Sequence, residues 1–127
     1  MSKQYKVDLN IDVSKSTPNG GFLIKNVDKS EDERGFKERT GPEVFVFLSQ
    51  SAIKGANPKC GYEALRGFRR ISKMLDKAAE SGELVANTTD IGTIKDSIKG
   101  NRNWPHSDEL IDVLEQIMDK LEKADAV

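Results

Sequence analysis

A catalytic or metal site in this chain would draw first on His106 and Cys60, its only histidine and only cysteine. A histidine near neutral pH serves as a base or a metal ligand. His106, however, stands between Pro105 and Ser107 where a helical pattern begins, and no Cys or His pair stands at ligand spacing. It reads as a surface or capping residue. Cys60 precedes Gly61 at a helix start, where a thiol can be activated. No base stands near it in sequence, so it reads as an ordinary half-buried cysteine. The glycines make neither a Gly-x-x-x-x-Gly-Lys-Ser/Thr nor a Gly-x-Gly-x-x-Gly phosphate loop. The carboxylates of residues 28–43 are interleaved with bases, as in a solvated loop. The expectation is a protein with no catalytic residue, no cofactor and no metal, hence no enzyme.

Charge placement carries more. From Lys54 to Lys77 there are seven bases against two acids; from Asp108 to Asp125 there are seven acids against two bases. Arg66, Arg70, Lys73 and Lys77 recur at three-to-four spacing and share one helix face. Arg66, Arg69, Arg70, Lys73 and Lys77 are therefore candidate contacts to a partner or to phosphates. The two charged faces admit three readings: they are solvated or pair within the monomer, they meet between subunits as an oligomer, or the basic one binds phosphate. The net charge of −1 counts against nucleic acid. Trp104, the only tryptophan, sits in a loop between two helices. It reads as a plug over the helix–helix corner, with a partner-binding anchor as the alternative.

The elements that position these residues follow from hydrophobic spacing. Tyr5, Val7, Leu9, Ile11 and Val13 alternate with polar residues, a half-buried strand. Ser16 to Gly21 is a turn, and 22–27 a second strand, so that 5–27 reads as an antiparallel hairpin. Residues 28–41 form a charged loop. Val44-Phe45-Val46-Phe47-Leu48 has strand propensity, but Thr40, Pro42 and Glu43 have the form of a capping box, and the spacing predicts a helix over 42–53. A second helix runs from Gly61 to Ser81, with Tyr62, Leu65, Phe68, Ile71, Leu75 and Ala78 as its apolar stripe and Gly82 as its stop. A short third helix, capped by Thr88 or Thr89, is lined by Ile91, Ile94 and Ile98 and ends at Gly100. The last, capped by Ser107, runs to about Ala124 with Leu110, Leu114, Ile117 and Leu121 as its seam, broadened by Ile111, Val113 and Met118. Residues 42–124 are the helical part of a single α+β domain, a β-hairpin packed on about four helices.

The 127 residues suffice for one core without disulfide or metal. A charged fraction of 32% suits a solvated surface. No stretch approaches the roughly 20 apolar residues of a membrane span, and the first residues lack the apolar core of a signal peptide. The expected setting is the cytoplasm, with no membrane partner.

The order of these segments resembles small phage or prophage accessory proteins of the tail-assembly-chaperone type. The likeness rests on the capped segment Thr40-Gly41-Pro42-Glu43-Val44-Phe45, the basic helix from Tyr62 to Leu75, and Thr89-Asp90-Ile91 opening a short helix before Leu110 to Glu115. It covers residues 40–118 in pattern. It implies an assembly protein that binds other phage proteins without enzymatic activity. The expectation is a protein-binding accessory protein that self-associates, its partner a phage or host protein. The alternatives are a nucleic-acid-binding accessory protein using the basic face, and a small inhibitor or regulator of a host protein.

Overall fold

The computed structural model describes residues 3–12, 23–25, 36–38, 41–104, 106 and 108–127. The elements run β1 (Gln4–Asp8), β2 (Leu23–Lys25), β3 (Phe36–Glu38), α1 (Gly41–Ala56), α2 (Tyr62–Ser81), β4 (Glu83–Asn87), α3 (Thr88–Gly100), α4 (Asp108–Glu122) and β5 (Asp125–Ala126). The class is α+β, as expected, with an N-terminal strand and four helices. The expected 16–21 turn, the Thr40 cap and the Ser107 cap lie outside the described residues.

The partner of the first strand differs from expectation. β1 is the middle strand of an antiparallel sheet ordered β4-β1-β5, pairing Gln4 with Asn87 through Asp8 with Glu83 on one side and Tyr5 with Ala126 on the other. Among the described residues it forms no hairpin with 23–25. Residues 23–25 pair instead with 36–38, inside the stretch expected to be a charged loop. The physical reason is burial. Tyr5 and Val7 share one face of β1 and stand opposite Ala86 and Leu84, and Val7, Leu84 and Ala86 are all buried. The other face is charged, with Lys6 paired to Glu83 at 3.3 Å and Asp8 to Lys120 at 3.2 Å.

The chain beyond β1 stays pinned. Leu9 donates its N–H to Gly82 O, Leu9 and Ile11 are buried, and Gln116 on α4 both donates to Asp12 O and accepts from Asp12 N–H at 2.8 Å. Gly41 sits against the backbone of Ile11, where a β-carbon would collide with its carbonyl, so α1 starts directly on this strand extension.

α1 is helical despite its Val-Phe-Val-Phe-Leu run, as the capping pattern predicts, and it extends to Ala56. Its burial explains the composition: Val44, Phe45, Val46, Leu48, Ser49, Ala52 and Ile53 are all buried, because α2 and α3 both pack on it. A helix covered on several sides is apolar on several sides. α2 ends at Gly82, whose φ of 81° is the left-handed turn that favours glycine and whose N–H reaches Ala78 O. α3 is capped by Asn87, not by Thr88 or Thr89: the Asn87 side chain accepts from the N–H of Asp90 at 2.8 Å. α4 stops at Glu122, short of Ala124, because the chain must straighten into β5 to reach β1. Leu75, Leu84, Ile94, Val113, Ile117 and Leu121 close the core between the helices and the sheet.

Candidate docking face on α2

The apolar stripe expected along α2 divides. Ile71, Leu75 and Ala78 are buried. Tyr62 is 72% exposed and Leu65 58% exposed, while Phe68 is only partly buried. Helix geometry is the cause. Steps of three residues fall about 60° short of a full turn at 3.6 residues per turn. The series Tyr62, Leu65, Phe68, Ile71 therefore winds around the helix, and Tyr62 ends on the side opposite Ile71. Only the C-terminal half of α2 is anchored; Gly61 to Arg66 are exposed on every side.

Between this half of α2 and the C-terminal half of α1 runs a groove of about 360 Å³. Ile53, Leu65 and Phe68 supply its apolar wall, and Lys54, Asn57, Cys60 and Arg69 its rim. Gln50 closes one end, donating to Ser72 O at 3.1 Å and to Asp76 Oδ1 at 2.7 Å. Cys60, expected to be half-buried, is exposed on this rim. On the outward side of α2, Tyr62, Leu65, Arg66, Arg69, Arg70 and Lys73 share a shallow concave surface. The Arg66 guanidinium lies 5.7 Å from the centre of the Tyr62 ring, within cation–π range, and 3.8 Å from Glu63.

The candidate bases have unequal freedom. Arg70 is committed to the fold: it donates to both oxygens of Asp90, at 2.9 and 2.7 Å. Asp90 is 3% exposed and lies in the first turn of α3. The hydrogen bond and charge of Asp90 push the Arg70 pKa further up, so the guanidinium stays charged. Arg69, Lys73 and Lys77 are exposed and make no ion pair among the described residues. Trp104 is half-buried against the core and donates its indole N–H to Ile98 O at 3.1 Å. His106 is exposed. Among the described residues no cluster of His, Cys, Asp or Glu is arranged to hold a metal, and no helix is long and apolar enough to cross a membrane.

The spacing places the bases on one side of α2 but does not show which apolar residues beside them are exposed. Tyr62 and Leu65, expected on the buried stripe, are exposed, whereas Phe68 packs against the core; the sign of this in the sequence is the drift of an unbroken three-residue spacing. On α4 the same correction applies: Val113 is buried at 1% exposure, whereas Leu114 and Met118 are only partly buried and Ile111 is 50% exposed. Comparison with known proteins gives no matching family model, no matching curated protein and no matching solved structure.

Proposed function

We propose that the protein is a non-enzymatic, cytoplasmic accessory protein that binds another protein through the groove between α1 and α2, its occupant an amphipathic helix with acidic flanks. The observation that carries this reading is the exposed N-terminal half of α2. Large apolar side chains there, Tyr62 and Leu65, are left uncovered beside Arg66, Arg69 and Lys73. An apolar wall accepts the anchor residues of a partner helix. The surrounding bases select its charge and speed its arrival more than they add affinity. The segment order resembling phage tail-assembly chaperones supports a place among phage or prophage assembly proteins, with a phage or host protein as the natural partner.

The test is fluorescence anisotropy with a labelled synthetic helical peptide carrying leucine at positions i, i+3 and i+7 and glutamate on one flank. Wild-type protein binds it, and Phe68→Ala or Arg69→Glu weakens binding at least about tenfold, as truncation of an interface anchor does. No binding at tens of micromolar protein overturns the reading.

A second reading rests on Tyr62, whose exposed ring beside Arg66 is a platform on which a nucleic-acid base stacks. In that case single-stranded oligonucleotides bind at about 50 mM salt, and each lost cation lowers the log–log salt slope by roughly 0.7. Binding of oligonucleotide in place of the peptide exchanges the first reading for this one.

A further inference from the structure

Two surface stretches of this chain carry one pattern with opposite charge. On α2, Leu65 and Phe68 are flanked by Arg66, Arg69 and Lys73. On α4, Ile111 and Leu114 are flanked by Asp112, Glu115 and Asp119. Counted from Leu65 and from Ile111, the apolar residue recurs three positions on in both, and the charges fall one, four and eight positions on in both. α4 adds Met118 seven positions on, and its outer surface forms a shallow apolar strip edged by Glu115, Asp119 and Glu122. Both stretches are uncovered: Leu65 is 58% and Ile111 50% exposed. Arg69 and Glu115 make no ion pair among the described residues, and none joins α2 to α4.

Building on the docking face proposed above, we infer that the occupant of the α1–α2 groove is α4 of a second copy of this chain, laid antiparallel to α2. Charge complementarity argues for the copy, and geometry for the direction. At about 100° per residue the charged edge lies on the same rotational side of the apolar strip in both helices. Facing helices bring like sides together only when they run antiparallel; a parallel pair would set each charged edge against the other helix's opposite side. The antiparallel register places Arg69 against Glu115 at the centre. Arg66 then faces Asp119, and Lys73 faces Asp112. Ile111, Leu114 and Met118 cover Leu65, Phe68 and the groove beside them. Each copy offers one groove and one α4, so the contact closes either reciprocally about a two-fold axis or by repeating around a ring.

Sedimentation velocity at tens of micromolar protein tests this, at ~50 mM and at ~1 M salt, since exposed charges are screened within about 3 Å at the higher concentration. Wild type sediments as an oligomer at low salt and shifts toward monomer at high salt. Arg69→Glu alone and Glu115→Arg alone sediment as monomers with unchanged circular dichroism, both positions being exposed. An equimolar mixture of the two reassociates, as does the doubly substituted chain. A wild-type monomer at low salt overturns the inference, as do single variants that associate like wild type or a mixture that stays monomeric. If the monomeric wild type still binds the acidic peptide through Arg69, the docking face stands and only its occupant is wrong. If it binds neither, both readings fall.

Discussion

At the scale of single residues, three side chains have measurable consequences. Ser49 is fully buried in α1 and its hydroxyl has no hydrogen-bond partner among the described residues. A desolvated hydroxyl without a partner costs stability. Ser49→Ala removes it and favours the helix, so denaturant unfolding shows a gain of about 1 kcal/mol. Arg70 works in the opposite sense. Its loss leaves the buried Asp90 carboxylate without its bidentate partner, although water reaches the Arg70 side of the pair, which is 55% exposed. Arg70→Met therefore costs about 1–3 kcal/mol, and the Arg70/Asp90 double-mutant cycle returns a coupling energy well above that of the exposed Lys123–Asp119 pair. Asp8 gives the pH dependence. The backbone N–H of Asn10, at 3.0 Å, is the main cause of its lowered pKa, with the Asn10 side chain and Lys120 assisting. A lowered folded value means that the stability is present above the ordinary carboxylate range and is lost as pH falls through the folded value. Thermal melts of Asp8→Asn consequently decline less than wild type between about pH 5 and about pH 2.

At the scale of elements, the two halves of α2 differ in burial. The half from Ile71 onward is held by the core and ends on the left-handed Gly82. In the half before it Tyr62 and Leu65 are exposed while Phe68 packs against the core. Leu75→Ala, at a position with no exposure, should cost about 2–5 kcal/mol in denaturant unfolding. Leu65→Ala, ten residues earlier on the same helix, should fall within about 0.5 kcal/mol while weakening peptide binding. Equal costs at the two positions would mean that Leu65 is a core residue and that the docking face does not exist as described.

At the scale of the whole molecule, β1 ties the ends of the chain together. It is covered on one edge by β4 and on the other by β5, and Val127 donates to Gln4 O at 3.0 Å. Its buried face holds Val7 at no exposure. A strand in this position opens only when the whole domain opens. In native-state hydrogen exchange the β1 amides bonded to β4 should rank with the slowest, with an opening free energy matching global unfolding. The amides of Glu63 to Arg66, on the N-terminal half of α2, should exchange by local fraying. The self-association proposed from α2 and α4 is also a property of this scale, since among the described residues no ion pair joins the two faces inside one copy.

How much of this the sequence determined depends on the distance over which each signal acts. Local signals were legible. The spacing of Val44, Phe45, Leu48 and Ala52 specified α1 against its strand propensity, and Gly82 marked the end of α2, because backbone sterics and side-chain period act within one or two turns. The clustering of bases on α2 and acids on α4 was likewise a property of spacing alone. What only the tertiary structure decided was which surfaces are covered. The alternation from Tyr5 specified a strand without naming its partners, which lie at 83–87 and 125–126; β4, five residues between two helices, is too short for its own pattern to announce it. The sequence set Arg70 among the free bases, and the fold gave it to Asp90 across the α2–α3 junction. It set Tyr62, Leu65 and Ile111 among the core residues, and the fold left them outside. An apolar side chain is driven from water with no preference for what covers it, so only the packing of the whole chain settles whether that cover is its own core or another molecule.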